Sequence, residues 1–246
     1  MTAADLLRTV TAALSGAEER TGQAAMADAV AVAIRKERHL VVQAGTGTGK
    51  TLAYLVPAIA ADKTVMVVTA TKALQDQLAT KDLPFLERTV DREFDWAVLK
   101  GRSNYLCIQR LREMSGSAEA QLELEDMATT TRAEIKRLAE WVATSPTGDQ
   151  AELDWAPSDA AWRAVSVGSD ECPGADRCPS GELCFAELAR SRAAAADVIV
   201  VNTHLYGLNV GSGGVILPPH DVVVFDEAHV LEDVMSDTVG AQIAPG

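Results

Sequence analysis

Aromatic residues, basic residues and long apolar runs are all scarce in this sequence. Aromatics make up 4% of the 246 residues, and no apolar run approaches the roughly 20 residues that a membrane-spanning helix needs. The first 20 residues lack the basic-then-apolar order of a signal peptide. We therefore expect a cytoplasmic protein that does not partner a membrane.

Basic residues number 22 against 35 acidic ones, which gives a formal net charge of −13. This balance excludes a protein that coats nucleic acid through general positive charge, because phosphate binding needs local lysine and arginine. Any contact with nucleic acid has to come from a local basic track. Cysteine is also scarce, with four residues. In a reducing compartment such thiols are metal ligands or plain buried groups rather than disulfides.

Hydrophobic residues are abundant, at 48%, which is enough for one core with an inserted subdomain. Short β-branched runs are typical of strands buried on both faces, and they occur at residues 39–44, 64–70, 95–100, 197–202 and 221–227. Helical patterns occur at 23–36, 49–61 and 71–79. The alternation predicts an α/β domain with a doubly wound parallel sheet.

The alternation stops between about 101 and 190, where polar helical patterns, three tryptophans and all four cysteines replace the strands. We interpret this segment as an inserted, mostly helical region. Within it, residues 118–144 predict one long charged helix and 145–158 predict a loop. The tryptophans are assigned to packing, and they are Trp141, Trp155 and Trp162.

The stretch QAGTGTGKT follows an apolar run and precedes an apolar helix, which is the context that a phosphate-binding P-loop requires. Its glycines let backbone N–H groups converge on phosphate oxygens, Lys50 reaches the outer phosphates, and Thr51 offers a hydroxyl to Mg²⁺. ATP or GTP binding follows; the alternative is a glycine-rich turn with an incidental lysine. The expected nucleotide-binding residues are Gly45, Thr46, Gly47, Thr48, Gly49, Lys50 and Thr51.

The stretch DVVVFDEAH ends a predicted strand with acidic residues. Asp226 should emerge at the carboxyl edge of the sheet, beside Thr51, and hold Mg²⁺. Glu227 would orient or deprotonate the attacking water, and His229 would couple the site to neighbouring loops. With Lys50 these residues form the expected catalytic set of an NTPase. The alternative is a strand end whose acidic residues merely cap a helix.

The DEAH sequence after a P-loop resembles superfamily 2 helicases. RTGQAAM, at 20–26, resembles their R-x-x-Q-x-x-M element, which implies that Gln23, with Arg20 as a second candidate, contacts the nucleotide base or its pocket. VVTATKALQDQL, at 67–78, resembles motif Ia, which touches the nucleic-acid backbone in relatives, although an ordinary amphipathic helix explains its leucines equally well. LKGRSNYLC and VVNTHLYGL resemble the segments that open and close the iron–sulfur insertion of DinG and XPD-type helicases, and the bacterial DinG branch is the most similar.

The resemblance implies a RecA-like P-loop NTPase domain interrupted by a mostly helical four-cysteine iron–sulfur insertion. It divides the chain into a first part of motor domain 1 at 1–100, the insertion at 101–190, a return to motor domain 1 at 191–235, and the start of an arch insertion or a tail at 236–246. Such helicases close ATP between two motor domains, the second of which brings an arginine finger. We expect this chain to be part of a longer protein.

The four cysteines form a lone residue, a long gap and then a C-x5-C-x5-C pattern, and they are Cys107, Cys172, Cys178 and Cys184. Four thiolates suit either a [4Fe–4S] cluster or zinc. Zinc sites usually pair cysteines two to four residues apart, so the wider spacing favours the cluster. Unligated buried thiols are the third interpretation. By resemblance, the cluster domain is structural and lies beside the path of single-stranded DNA.

From the resemblance we expect an ATP-dependent DNA helicase that uses ATP, Mg²⁺ and the cluster, moves 5′ to 3′ on single-stranded or forked DNA, and acts in DNA repair or replication. The candidate basic track for DNA consists of Lys100, Arg102, Arg110 and Arg112. A solvated helix face explains these charges almost as well. Two other functions stay open: a regulatory module that binds ATP and a metal, and a nucleic-acid-binding protein without turnover.

Overall fold

The computed structural model describes residues 2–14, 20–45, 47–116 and 127–239. The chain divides into two compact units. The first combines the residues up to Leu99 with those from Ala193 onward, and the second runs from Lys100 to Arg192. Each unit is built around a hydrophobic core of its own.

The first unit surrounds its core with helices from both ends of the chain. Its N-terminal helices are α1 (Ala3–Thr11), α2 (Thr21–Arg35), α3 (Lys50–Ala60), α4 (Lys72–Gln77) and α5 (Leu83–Thr89). A π-helical turn, Leu78–Asp82, joins α4 to α5. In α3 the residues from Ala53 to Ile59 are all buried. Burying a large apolar side chain stabilises a fold by roughly 1.5–3 kcal/mol, so α3 is firmly anchored in the core.

A parallel four-stranded sheet lies in the same unit, in the order β2-β3-β1-β4. The strands are β1 (Val65–Thr69), β2 (Trp96–Val98), β3 (Val198–Asn202) and β4 (Val222–Phe225). Val65 of β1 pairs with Val198 on one side and with Val222 on the other. β1 is completely buried, which explains its unbroken apolar sequence. Because the strands are parallel, their carboxyl ends share one edge of the sheet.

The predicted strand at 39–44 is wrong. Residues 38–45 form no strand, and Val41 is 96% exposed. The β-branched run favours extended backbone, but a strand also needs a hydrogen-bonded neighbour, and periodicity carries no information about neighbours. The other four predicted strands form, although each is shorter than its apolar run.

The second unit is mostly helical. Its helices are α6 (Ile108–Gly116), α7 (Thr129–Val142), α8 (Asp159–Val165) and the start of α9 (Phe185–Ala195). Short 3₁₀ turns occupy Arg102–Asn104, Gln150–Glu152, Ala175–Arg177 and Gly181–Leu183. The three tryptophans pack in or against its core, as predicted. The indole of Trp162 also donates to the carbonyl of Ser103 at 2.8 Å.

The long helix predicted at 118–144 is wrong in its extent. α7 begins at Thr129, after Ala128 with a non-helical ψ of 139°, and ends at Val142. Residues 118–126 lie outside the described ranges. Charged residues are common both in solvent-exposed helices and in loops, so the composition of this segment did not determine where the helix begins.

The remaining helices belong to the first unit, and they are α10 (Thr203–Gly211) and α11 (Leu231–Val239). A 3₁₀ turn, Ala228–Val230, separates β4 from α11. Across the described part of the chain, every helix is too short or too polar to cross a membrane.

Candidate nucleotide-binding site

The P-loop ends at the first residue of α3. Gly47 and Gly49 have φ values of +73° and +77°, which glycine adopts readily and other residues rarely do. A Cβ at Gly49 would lie 2.2 Å from Nε2 of Gln23, so that side chain would have to move to accommodate it. Within the described ranges no side chain caps the start of α3, and its first turn carries no acidic residue. Its N–H groups and partial positive charge are therefore available to an anion.

Side chains at the start of α2 form hydrogen bonds with the backbone of the P-loop. Nε2 of Gln23 donates to the carbonyl of Gly49 at 2.9 Å, and the Arg20 guanidinium donates to the carbonyl of Gly47. Inside the loop, the hydroxyl of Thr48 donates to the Gly45 carbonyl at 2.9 Å. Gln23 and Arg20 thus position the loop, and their contact with a nucleotide base stays a prediction. Thr46 lies outside the described residues.

The lysine of the P-loop meets the acidic end of β4. Nζ of Lys50 lies 3.0 Å from Oε1 of Glu227, although the two residues are far apart in sequence. Oε2 of the same carboxylate lies 3.3 Å from Nδ1 of His229. The side chains of Lys50 and Glu227 are 26% and 34% exposed, so solvent still reaches both. The fold brings three of the four predicted catalytic side chains into contact.

Asp226, the fourth, forms three hydrogen bonds with other residues. Its N–H donates to the carbonyl of Val68 at 2.9 Å, which extends the pairing of β4 with β1. Its Oδ1 accepts the backbone N–H of Glu227, and its Oδ2 accepts the hydroxyl of Tyr54, both at 3.0 Å. Glu227 itself has a left-handed φ of +57°, a strained value for a residue with a side chain, and this sharp turn directs the two carboxylates differently.

Tyr54 was missed by the sequence reasoning. Burial, followed by the charge of Asp226, raises the pKa of Tyr54 well above its usual value. The hydroxyl therefore stays protonated and donates a hydrogen bond to Asp226. The neighbouring hydroxyl of Thr51 acts in the opposite direction on the same pKa. Of the two predicted magnesium ligands, Asp226 accepts a hydrogen bond from the Tyr54 hydroxyl. The available signal was a tyrosine hydroxyl within the apolar run that follows Thr51 in α3, one turn after Lys50.

In the second unit one cavity is lined by all four cysteines. Each thiol is half-buried and forms no disulfide. Burial raises the pKa of Cys107, with contributions from Cys178 and Cys184, while the backbone N–H groups of Gln109 and Arg110 lower it. Among the described residues, no group of three or more Cys, His, Asp or Glu side chains is placed to hold a metal ion.

The candidate basic track is largely occupied by internal contacts. Lys100 pairs with Asp149 at 2.7 Å, Arg102 with Glu187, and Arg110 with Glu171 at 3.1 Å. The fourth member, Arg112, donates to the hydroxyl of Ser180 at 2.9 Å. These cations hold the second unit together, and three of them are neutralised by a carboxylate. They therefore offer less free positive charge to DNA than their sequence positions predict.

Several known proteins that this chain resembles are named helicases, in agreement with the P-loop and the DEAH sequence of the site. The profile of the DEAD/DEAH box helicase family matches residues 22–142. The ATP-dependent helicase DinG of Mycobacterium tuberculosis (strain H37Rv) is 42% identical over 99% of this chain and 39% of its own length. The ATP-dependent DNA helicase YoaA of Escherichia coli K12 is 41% identical over 94% of this chain and 36% of its own length. The ATP-dependent DNA helicase DinG of the same strain is 34% identical over 82% and 30%.

The parallel sheet, the P-loop on α3 and the DEAH sequence after β4 agree with the match of this chain to the DEAD/DEAH box helicase family. Over nearly its whole length the chain is similar to helicases named DinG and YoaA. It spans 39% of the length of the mycobacterial relative and 36% of YoaA.

Proposed function

We propose that this chain supplies the ATP-binding side of a DNA helicase that couples ATP hydrolysis to 5′-to-3′ movement on single-stranded DNA. The observation that carries the proposal is the 3.0 Å contact between Lys50 and Glu227, which joins a P-loop to a DEAH sequence in one site. The names of the relatives, ATP-dependent DNA helicases, support the same activity. Forked DNA and a role in repair or replication belong to the same proposal.

The residues of the site divide the work between them. The glycine turn and the N-terminus of α3 hold phosphate oxygens, and Lys50 exchanges its contact with Glu227 for the outer phosphates. That exchange frees the Glu227 carboxylate, which then orients the attacking water and accepts its proton. Thr51 and Asp226 would hold Mg²⁺, which neutralises phosphate charge when it is bound with ATP. His229, 3.3 Å from Glu227, keeps that carboxylate directed into the site.

DNA-stimulated ATPase activity of the longest native chain tests the proposal. A helicase hydrolyses ATP faster when single-stranded DNA is added. An ATP-binding regulatory module would bind Mg-ATP without stimulation, and a nucleic-acid-binding protein would retain DNA with no turnover at all. Either of these two results would replace the proposed function by the corresponding alternative.

We further propose that Cys107, Cys172, Cys178 and Cys184 hold a [4Fe–4S] cluster with a structural role. All four thiols line one cavity, and such a cluster binds each cysteine to a different iron atom. The compactness of the unit Lys100–Arg192 supports an insertion at 101–190.

Metal analysis after anaerobic purification tests the cluster. We expect iron and sulfide in equal amounts with visible absorbance, and loss of iron when any one of the four cysteines is changed to serine. The P-loop lies in the other unit, so nucleotide binding should survive these substitutions. Stoichiometric zinc, or four freely alkylated thiols in the folded protein, would contradict the cluster.

A further inference from the structure

Tyr54 places a hydroxyl where the core would otherwise be apolar. The residue is 3% exposed and lies among the buried alanine, leucine and valine side chains of α3. Burying a hydroxyl costs free energy unless it forms a hydrogen bond. The Tyr54 hydroxyl forms one, to Oδ2 of Asp226 at 3.0 Å, and this bond connects the helix of the P-loop to the DEAH end of β4.

The hydrogen bonds of Asp226 leave its carboxylate little freedom to rotate. One oxygen accepts the N–H of Glu227 and the other accepts the hydroxyl of Tyr54. A carboxylate offers about four lone-pair sites, so each oxygen can still accept another group. Thr51 lies one turn before Tyr54 in the same helix, so the hydrogen bond from Tyr54 holds Asp226 next to the helix turn that carries the other predicted magnesium ligand.

We propose that Tyr54 is a positioning residue for magnesium: its hydroxyl fixes the orientation in which Asp226, together with Thr51, receives the ion that accompanies ATP. The inference rests on the proposed function, because it concerns the same nucleotide site. In this proposal Tyr54 acts through Asp226, to which its hydroxyl donates. Its contribution therefore belongs to the magnesium-dependent part of nucleotide binding and is absent from the magnesium-independent part.

Calorimetric titration of the 246-residue chain with ATP, in EDTA and over a series of Mg²⁺ concentrations, separates these two parts. Tyr54→Phe keeps the ring and removes only the hydroxyl. We expect unchanged ATP affinity in EDTA and an increase of about tenfold in the Mg²⁺ concentration needed for half-maximal binding, the size expected from loss of one hydrogen bond to a charged group. Equal loss of affinity with and without Mg²⁺ would show a general structural role and overturn the proposal.

Tyr206→Phe is the matched control. It removes a tyrosine hydroxyl from the same unit, next to β4, and retains the edge-on ring contact with Phe225 at 5.1 Å. We expect its Mg²⁺ dependence to equal that of the unsubstituted chain. If Tyr54→Phe behaves like Tyr206→Phe while Lys50→Ala loses ATP binding, the inference is wrong and the proposed function stands. If Lys50→Ala binds ATP normally, the proposed function itself fails.

A double-substitution cycle tests whether Tyr54 acts through Asp226. In an Asp226→Asn chain, adding Tyr54→Phe should change the Mg²⁺ dependence little further, because the carboxylate that the hydroxyl orients is already absent. A full additional tenfold effect in that background would overturn the proposed route. Thermal unfolding of all variants shows that the proteins compared are folded.

Discussion

Lys50 and Glu227 form an ion pair in the candidate nucleotide site, yet the proposed function gives the two side chains different tasks. In that proposal Lys50 contacts phosphate and would contribute to binding. Glu227 acts on the attacking water and would contribute to turnover. The same contact therefore joins two residues whose substitutions should have separable effects.

We predict that Lys50→Ala weakens Mg-ATP binding by tenfold or more, whereas Glu227→Gln leaves binding near normal. A hydrogen-bonded charge contact is worth about 1.5–3 kcal/mol, which sets the size of the lysine effect. Calorimetric titration of the two chains decides between the roles. Equal losses of affinity in both variants would mean that Glu227 is not the residue that positions water.

Among individual residues, those that belong to contiguous motifs could be predicted from the sequence as candidates for the site. Lys50 is next to the glycines that form its loop, and Asp226 directly follows an apolar strand, so the local pattern identified both. The role of Tyr54 depends on how α3 packs against the end of β4, which brings together residues that are distant in sequence. No local pattern carries that information.

Among the elements, the loop around Gly148 has almost no room for a side chain. Gly148 has a φ of +62°, and a Cβ there would lie 2.3 Å from the ring of Phe185. Its carbonyl also accepts the N–H of Leu106, next to the first cysteine. This glycine therefore fixes the loop at 145–158 against the start of α9.

We predict that Gly148→Ala lowers the unfolding free energy of the second unit by about 2–4 kcal/mol, from backbone strain and overpacking together. Two matched substitutions separate these causes. Gly174 has a positive φ with open space around it, and Gly168 has open space without a positive φ. Urea unfolding should rank the losses Gly148→Ala, then Gly174→Ala, then Gly168→Ala. Equal losses at all three positions would contradict the assigned packing.

The π-helical turn between α4 and α5 carries a carboxyl whose pKa depends on the fold. Burial raises the pKa of Asp82, and a hydrogen bond from Gln77 together with the charge of Lys81 only partly offsets this effect. Because the folded pKa lies above the unfolded value of 3.8, the folded state holds the proton more tightly. The stability gained from this group is present below the unfolded pKa and is lost as pH rises through the folded one.

We predict that Asp82→Asn stabilises the chain at pH 7 by about 0.5 kcal/mol, a modest gain because solvent screens a half-buried group. The advantage should shrink as pH falls toward the unfolded pKa, since the aspartate is then protonated in both states. Urea unfolding across that pH range measures it, with the exposed Asp76→Asn as the control. A gain that does not change with pH would assign the effect to packing rather than to charge.

The elements also show where sequence patterns stop being informative. The buried strands β1 and β3 were predictable because a strand covered on both faces has to be apolar throughout. The run at 39–44 has the same composition but is exposed, since pairing depends on neighbours that composition does not specify. The cavity between the cysteines likewise depends on turns at 172–184 whose spacing alone left zinc, a cluster and free thiols open.

For the whole molecule, we predict that the 246-residue chain binds Mg-ATP but does not unwind duplex DNA. Its site contributes Lys50, Asp226 and Glu227 from one side, while the relatives it matches are much longer. An arginine finger from a second domain is worth about 10³ to 10⁵ in turnover in other phosphoryl-transfer enzymes. Strand displacement on a 5′-tailed duplex compares this chain with a longer one. Equal rates of strand displacement by the two chains would show that unwinding needs no residues beyond these 246.

The order of the sheet determines when its parts can assemble during synthesis. β1 is synthesised early and is completely buried in the folded protein. Both strands that pair with it, β3 and β4, lie far downstream in the sequence, so Val65 cannot pair until Val198 has been synthesised. At about 5–20 residues per second, the ribosome takes on the order of ten seconds to supply the first partner. During that interval the sequence VMVVT emerges with both hydrogen-bonding edges free. The residues of the second unit lie wholly between β1 and β3, so this unit can fold before the parallel sheet of the first unit is complete.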